Sequence, residues 1–194
     1  LYDFKLDQWG LKRQPKETYQ NYRSRIKNSP IMKLPDKKDM AIWDLSPEGA
    51  RELNGWVKTS PNVYYFSIST ASTEKDEATS EEYPVITNAL VFLPAAHWMG
   101  SYRNMNPLPG EVKIDDTWAK NDSVVNTVSM KGPEGSVILP YDGKPRKGLW
   151  QDMGTWSTRD HMDIIGQTRM WNLLDGRNPK EFYLKHAEFL HSLN

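Results

Sequence analysis

The chain has 194 residues, of which 38% are hydrophobic, and its 25 basic residues balance its 25 acidic residues. This composition is typical of a soluble globular protein, and a formal net charge of zero gives no electrostatic reason to expect nucleic acid or an anionic membrane surface as a partner. Because there is no cysteine, disulfides, thiol nucleophiles and cysteine metal sites are excluded.

The start of the chain and its longest apolar run bear on targeting. The chain begins with Leu1 rather than Met, which favours a cut or processed end from which any targeting segment has gone. The longest apolar run, Ala89 to Met99, is interrupted by Pro94 and His97. It is shorter than the about 20 residues that a membrane span requires, so we expect no transmembrane segment in this chain.

The first half of the chain contains two predicted helices and one predicted strand. Pro15 and the helical spacing of apolar residues predict a helix over residues 15–28, and Ser46-Pro47 is typical of the start of a second helix. That second helix is predicted to turn four residues inward: Ala50, Leu53, Trp56 and Val57. The β-branched and aromatic residues from Val63 to Ile68 predict a buried strand. Residues 71–83 are polar and acidic, which indicates a surface loop or an ordered insertion.

The second half continues the alternation of strand and helix. A short apolar strand is predicted at Val137–Leu139, after a turn that spans residues 132–135. Asn178-Pro179 is typical of a helix cap. The helix that follows is predicted to bury one stripe of residues: Phe182, His186, Phe189 and Leu193. Alternating strands and helices favour the α/β class, and no linker is visible, so residues 1–194 are predicted to belong to one domain.

His161 is the strongest candidate for acid–base chemistry among the four histidines. It follows a polar stretch and precedes an apolar segment, a position from which a side chain can reach a site. His97 lies in an apolar segment, where a buried, hydrogen-bonded role is expected. His186 and His191 lie on the last predicted helix, where packing or surface roles are expected.

Asp122 is a candidate partner for His161 because it stands directly before the apolar residues Val124 and Val125. In α/β-hydrolases the triad runs along the chain as nucleophile, acid and histidine, and Asp122 before His161 fits that order. Many carboxylates precede His161, however, so spacing alone leaves the identity of the acid open.

The nucleophile of such a triad is missing from the sequence, which contains no G-x-S-x-G motif. Neither Ser101 nor Ser136 has the flanking glycines that this motif requires. A serine hydrolase built from this chain would therefore need a serine upstream of Leu1. The sequence also contains no P-loop, dinucleotide-binding or H-E-x-x-H motif, and its eight tryptophans are more often packing residues than a carbohydrate platform.

Several longer segments resemble the staphylococcal and thermophilic bacillar lipases, in the same order along the whole chain. The segments are Tyr2–Leu11, Asp44–Ser46, Gly100–Asn104, Asn121–Met130, Pro140–Gly143, Lys147–Thr155 and Asp160–Gly166. The resemblance implies an α/β-hydrolase fold, of which this chain is the C-terminal part, with a mainly parallel sheet and flanking helices. It also implies a secreted triacylglycerol lipase.

The resemblance assigns roles to individual positions. It places Asp122 on the triad acid and His161 on the triad histidine, and it puts the nucleophile and the oxyanion donors in an absent N-terminal half. The chain alone is then expected to be inactive. Met162, next to the base, is expected to line the acyl pocket. Ser123 stands where the family usually has glycine.

Two metal sites are also implied by the resemblance. A structural calcium would be held by Asp163 and by the backbone carbonyls of Ile86 and Arg169. Thr168 stands where a second carboxylate is expected, which weakens a site for an ion that prefers several charged oxygens. Asp39 matches one of four zinc ligands, and the other three lie upstream.

Two alternatives stay open at this point. The chain could be a non-catalytic fragment or a subunit that binds or completes another polypeptide. It could also belong to an esterase or polyesterase of the same fold, because the lid and pocket that decide substrate preference lie upstream. Mass spectrometry of purified material distinguishes the first alternative by showing whether a serine-bearing segment accompanies the chain.

Overall fold

A computed structural model describes residues 10–29, 41–85, 90–166 and 178–193. The chain falls into two compact units, Leu1–Ala50 and Arg51–Asn194. The predictions made for Asp39, Ile86, Thr168 and Arg169 lie outside the described residues. The prediction that residues 1–194 form one domain stays a prediction.

Five α-helices and five strands are described. The helices are α1 (Tyr19–Lys27), α2 (Ala41–Asp44), α3 (Pro47–Trp56), α4 (Leu93–Ser101) and α5 (Pro179–His191). The strands are β1 (Tyr65–Ala71), β2 (Thr73–Lys75), β3 (Glu82–Pro84), β4 (Ile138–Pro140) and β5 (Trp150–Ser157). Helix α4 and strand β5 were not predicted from the sequence.

The first helix begins four residues later than predicted. Thr18 is its N-cap, and the Thr18 hydroxyl accepts a hydrogen bond from the backbone N–H of Asn21 at 3.2 Å. Pro15 lies in a preceding turn, since Lys16 has a φ of 64°, a left-handed conformation that a helix does not accommodate. The hydrogen bond from Arg25 lowers the pKa of the Glu17 carboxyl to about 2.

Helix α3 begins as predicted, but the face predicted to be buried is not buried. The Ser46 hydroxyl accepts a hydrogen bond from the backbone N–H of Gly49 at 3.0 Å, which satisfies one of the donors left over at a helix start. Leu53, Trp56 and Val57 are nevertheless exposed. Apolar spacing predicts which residues share a face, and it does not show what covers that face.

The main sheet is parallel, with strand order β1-β5-β4. Strand β5 lies in the centre, with Tyr65 of β1 and Ile138 of β4 both opposite Trp150. The register between β1 and β5 shifts once, between Ser67 and Ser69. Parallel strands joined by long connections confirm the predicted α/β class.

Helix α5 flanks this sheet through aromatic contacts. The Phe182 ring lies 4.3 Å from that of Trp156 on β5, and the Phe189 ring lies 4.9 Å from that of Phe66 on β1, both measured between centroids. The stripe predicted from helical spacing is the partly buried side of this helix. The Asn178 cap is also confirmed, because its side chain accepts a hydrogen bond from the backbone N–H of Lys180 at 2.9 Å.

Residues 71–83 are an ordered part of the fold rather than a simple surface loop. The C-terminal residue of β1 is followed by the antiparallel pair β2 and β3, in which Thr73 lies opposite Pro84. Thr73 and Glu82 are both buried. The polar composition of residues 71–83 indicated an exposed segment. Some of these polar residues are buried instead, because the backbones of the two short strands pair with each other. In the described part of the chain, no helix has the length and apolar character to span a bilayer.

Candidate active site

The structure brings the predicted acid and the predicted base into direct contact. Nδ1 of His161 lies 3.0 Å from Oδ2 of Asp122. The backbone N–H of His161 also donates to the backbone carbonyl of Asp122 at 3.0 Å, so two hydrogen bonds join the segments. His161 and Asp122 are 39 positions apart in sequence and meet at the carboxyl edge of the parallel sheet.

The Asp122 carboxylate is buried and hydrogen-bonded on both oxygens. Its residue is only 1% exposed. Oδ1 accepts from the backbone N–H groups of Val124 and Val125 at 3.1 and 2.8 Å. Oδ2 accepts from the hydroxyl of Thr70 at 2.8 Å, in addition to its contact with the imidazole. A buried polar group must be hydrogen-bonded to offset the loss of water, and both oxygens of this carboxylate are.

The loop that carries Asp122 is fixed to the end of β1 by its neighbour Asn121, which is fully buried. The Asn121 carbonyl accepts from the backbone N–H of Ser72 at 2.8 Å, and the Asn121 side chain donates to the carbonyls of Ala96 and Ala119. The Asn121 side-chain oxygen accepts from the backbone N–H of Ser123 at 2.8 Å. These bonds place the acid at the sheet although 50 residues separate Asp122 from Ser72 in sequence.

Ser123, the residue after the acid, has a φ of 81°. This is the left-handed region, which glycine adopts without strain and which a residue with a Cβ adopts at a cost. The Ser123 hydroxyl lies 3.0 Å from the hydroxyl of Ser72, a buried contact that only a side chain can make. The serine therefore combines backbone strain with a hydrogen bond that glycine would lack.

The segment that carries His161 is tied to the same strand end. The backbone N–H of Arg159 donates to the carbonyl of Ala71 at 2.9 Å. Beyond it, Oδ1 of Asp160 accepts from the backbone N–H groups of Met162 and Asp163 at 2.9 and 3.1 Å, which closes a tight turn around the histidine. The His161 side chain is 43% exposed, so it can reach a substrate from this hydrogen-bonded turn.

This pair can act as an acid–base unit. A carboxylate at Nδ1 accepts a hydrogen bond from the N–H of that nitrogen, which leaves Nε2 as the acceptor in neutral imidazole. The same carboxylate offsets the charge when Nε2 takes up a proton.

Two other carboxylates near these residues in sequence have different roles. The Asp116 side chain is 76% exposed and forms an ion pair with Arg103 at 2.8 Å. Asp160 is buried, and it uses Oδ1 on the backbone of its own turn. Of these three carboxylates, Asp122 is the one described in contact with the His161 ring.

Two of the three remaining histidines, His97 and His186, lie beside aromatic rings. The His97 ring lies 5.0 Å from that of Tyr83, and His186 lies between Phe182 and Phe189 on α5. His97 is exposed, so the buried role predicted for it is wrong, whereas the contacts of His186 are consistent with its predicted packing role. His191 is the exposed last residue of α5.

Of the predicted calcium ligands, Asp163 alone lies within the described residues. It is 4% exposed, and its Oδ2 accepts from the backbone N–H of Asp160 at 3.0 Å. Among the residues described, no group of three or more metal-binding side chains occurs. Calcium and zinc therefore stay predictions. The role of Met162 in an acyl pocket is also untested, although its backbone lies beside the base.

Sequence reasoning missed Thr70 and Asn121, which support the acid. The predicted strand ended at Ile68, two residues short of Thr70. Threonine and asparagine are common in strands and loops, so nothing in the local pattern marks either as a neighbour of Asp122.

Comparison with known proteins places this chain in a family. Residues 1–192 match the family described as "Lipase-like, C-terminal domain". The chain is 32% identical to a lipase from Staphylococcus epidermidis over 165 residues. EstA from Clostridium botulinum is 40% identical with a TM-score of 0.77, and Staphylococcus hyicus lipase is 25% identical with a TM-score of 0.73. The chain belongs to the family of lipase-like C-terminal domains, and the predicted α/β-hydrolase fold and the resemblance to staphylococcal lipases are confirmed.

The matches cover most of this chain and a smaller part of each relative. The aligned region is 85% of this chain and 22% of the S. epidermidis lipase. It is 97% of this chain in both structures, but 42% of EstA and 45% of the S. hyicus lipase.

Proposed function

We propose that this chain supplies the acid and the base of a carboxylic-ester hydrolase that uses a Ser-Asp-His triad. The observation that carries the proposal is the 3.0 Å contact between His161 Nδ1 and the buried carboxylate of Asp122. This contact occurs in a chain of a lipase-like family, at the carboxyl edge of a parallel sheet. Active sites of open α/β sheets lie at that edge.

The reaction follows from the two nitrogens of the imidazole. A serine hydroxyl attacks the ester carbonyl while Nε2 of His161 takes the hydroxyl proton. His161 then returns that proton to the alkoxide oxygen of the leaving alcohol, which leaves an acyl-enzyme. Water attacks the acyl group by the same route and gives its proton to Nε2, after which the acid product leaves and the serine is reprotonated.

Asp122 makes this cycle possible by holding Nδ1–H in place. It does not take up the proton itself; it fixes the tautomer and stabilises the imidazolium. Burial and the donors on both carboxylate oxygens give Asp122 one orientation, which is what such a role requires.

The serine is proposed to lie on a segment upstream of this chain. Two observations support this: the sequence has no G-x-S-x-G motif, and the chain matches less than half of EstA. The chain alone is accordingly expected not to hydrolyse esters. Acylglycerols are the proposed substrates, because relatives are named lipases, and Met162 is proposed to contact the acyl group.

Two further properties are proposed from the same resemblance. The enzyme is secreted, and it binds a structural calcium to which Asp163 contributes a carboxylate, with Ile86 and Arg169 supplying carbonyls beside Thr168. Asp163 is suited to this by its burial and by the fixed turn in which it lies. Asp39 would be one ligand of a zinc site completed by upstream residues.

The test of the proposed function is Asp122→Asn in the full-length enzyme, with turnover of a soluble ester and the melting temperature measured on the same sample. Asparagine can donate to Nδ1 and so favours the wrong tautomer. In serine proteases with the same triad, this change costs about ten-thousand-fold in turnover, or about 5 kcal/mol, and a loss of that order is expected here.

The matched control is Asp160→Asn. Asp160 is equally buried and adjacent to the base, and the asparagine oxygen can still accept from Met162 and Asp163. The control is expected to keep turnover within a few-fold of wild type. If Asp122→Asn also kept turnover within a few-fold, Asp122 would not be the triad acid and the proposed function would fail.

A further inference from the structure

Thr70 shares the same carboxylate oxygen with the catalytic imidazole. Its hydroxyl lies 2.8 Å from Oδ2 of Asp122, the oxygen that also contacts Nδ1 of His161. Thr70 is 5% exposed and lies near the carboxyl end of β1, so bulk water does not compete for this contact.

The direction of the hydrogen bond follows from the neighbours of the hydroxyl. Threonine has one hydroxyl proton, and the two acceptors within reach are Oδ2 of Asp122 and the sulfur of Met130, at 2.8 and 3.4 Å. An ionised carboxylate can only accept, and a thioether is a weak acceptor. Thr70 therefore donates to Asp122, and this is a charge-assisted hydrogen bond.

The hydroxyl is held by a rigid frame. Thr70 lies opposite Trp156 in the parallel ladder between β1 and β5. Its carbonyl accepts from the hydroxyl of Thr127 at 2.8 Å. The donor that Thr70 presents to Asp122 is thus fixed by the sheet rather than by a loop.

We propose that Thr70 is a positioning residue that locks the Asp122 carboxylate in the rotation His161 requires; this inference rests on the proposed function. Val124 and Val125 hold Oδ1 from the loop, and Thr70 holds Oδ2 from the strand. Together they leave the carboxylate plane no freedom to turn away from Nδ1.

The test compares Thr70→Val with Thr70→Ser in the full-length enzyme, with kcat, KM and the melting temperature measured on each sample. Valine keeps the shape and removes the donor, so kcat is expected to fall about tenfold, which corresponds to about 1.4 kcal/mol. KM is expected to stay unchanged, because Thr70 is buried behind Asp122.

Serine keeps the donor and removes a methyl group. Thr70→Ser is expected to keep kcat within about threefold of wild type, although loss of the buried methyl group lowers the melting temperature. A merely structural role predicts that turnover follows stability in both variants, and that result would overturn the proposal.

A double substitution separates this proposal from the proposed function. If Thr70 acts through Asp122, Thr70→Val should cost little further turnover in an Asp122→Asn background, because residues that act as a unit are not additive. A full tenfold loss in that background would overturn the proposal while leaving the triad intact. If the Asp122→Asn single variant retained turnover, the proposed function itself would be wrong.

Discussion

The two segments that meet at the site differ in how tightly they are held. Asp122 is 1% exposed and receives three hydrogen bonds in addition to the imidazole contact, whereas the His161 side chain is 43% exposed on a turn. The difference matches their proposed tasks. An orienting acid must stay fixed and dry, while a base must meet a substrate and pass protons on.

The comparison predicts that removing either side chain lowers turnover, but that only removing Asp122 also lowers stability. His161→Ala in the full-length enzyme should lower turnover by about a millionfold, the loss seen when the catalytic histidine of subtilisin is removed. The same change should hardly affect stability, because the His161 side chain is half exposed. Asp122→Ala should also lower the free energy of unfolding by about 3 kcal/mol, since donors from Thr70, Val124 and Val125 lose their acceptor.

Ester kinetics and chemical denaturation of both variants check this contrast. Equal losses of stability in the two variants would show that Asp122 is not the more tightly integrated residue.

The dependence of stability on calcium tests the metal site proposed at Asp163, in the turn that follows His161. With calcium at about a hundredfold excess over its Kd, binding should stabilise the native enzyme by about 2.7 kcal/mol, seen as a higher melting temperature. Asp163→Asn should remove this response, while its side-chain oxygen can still accept from the backbone of Asp160. A melting temperature that calcium does not change in the wild type would contradict the proposed site.

Substitutions at Ser123 test the backbone strain in the loop that carries Asp122, and a smaller effect on stability is expected. Ser123→Ala and Ser123→Gly both lose the contact with the hydroxyl of Ser72, but only glycine relieves the positive φ. The glycine variant should therefore be more stable than the alanine variant by about 1 kcal/mol. Denaturant midpoints of the two variants give this difference, and equal midpoints would mean that the loop stores no strain there.

Much of the fold was predictable from local pattern. The caps at Ser46 and Asn178 and the aromatic stripe of α5 were identified because capping and helical spacing are local properties. Strand β5 was missed, because its central residues alternate poorly between polar and apolar and include Gly154. The prediction that one face of α3 is buried was wrong, because the spacing of apolar residues does not show what covers that face.

The site was predictable only in part. Chain order and resemblance identified Asp122 and His161, and the structure places them in contact. The support of Asp122 by Thr70 and Asn121 could not be predicted, because it arises when distant segments meet at one end of a sheet. Hydrogen bonds between segments about 50 residues apart leave no periodic trace in a sequence, because periodicity reports only on neighbours along one element.

The central claim is that Asp122 selects the tautomer of His161, and nitrogen NMR of the histidine rings measures this directly. In protein labelled with 15N at its four histidines, at pH about 9 where imidazole is neutral, the account predicts that His161 carries its proton on Nδ1. Asp122→Asn should move that proton to Nε2, and Asp160→Asn should leave it in place. A wild-type His161 protonated mainly on Nε2, or one whose tautomer ignores Asp122→Asn, would contradict the claim.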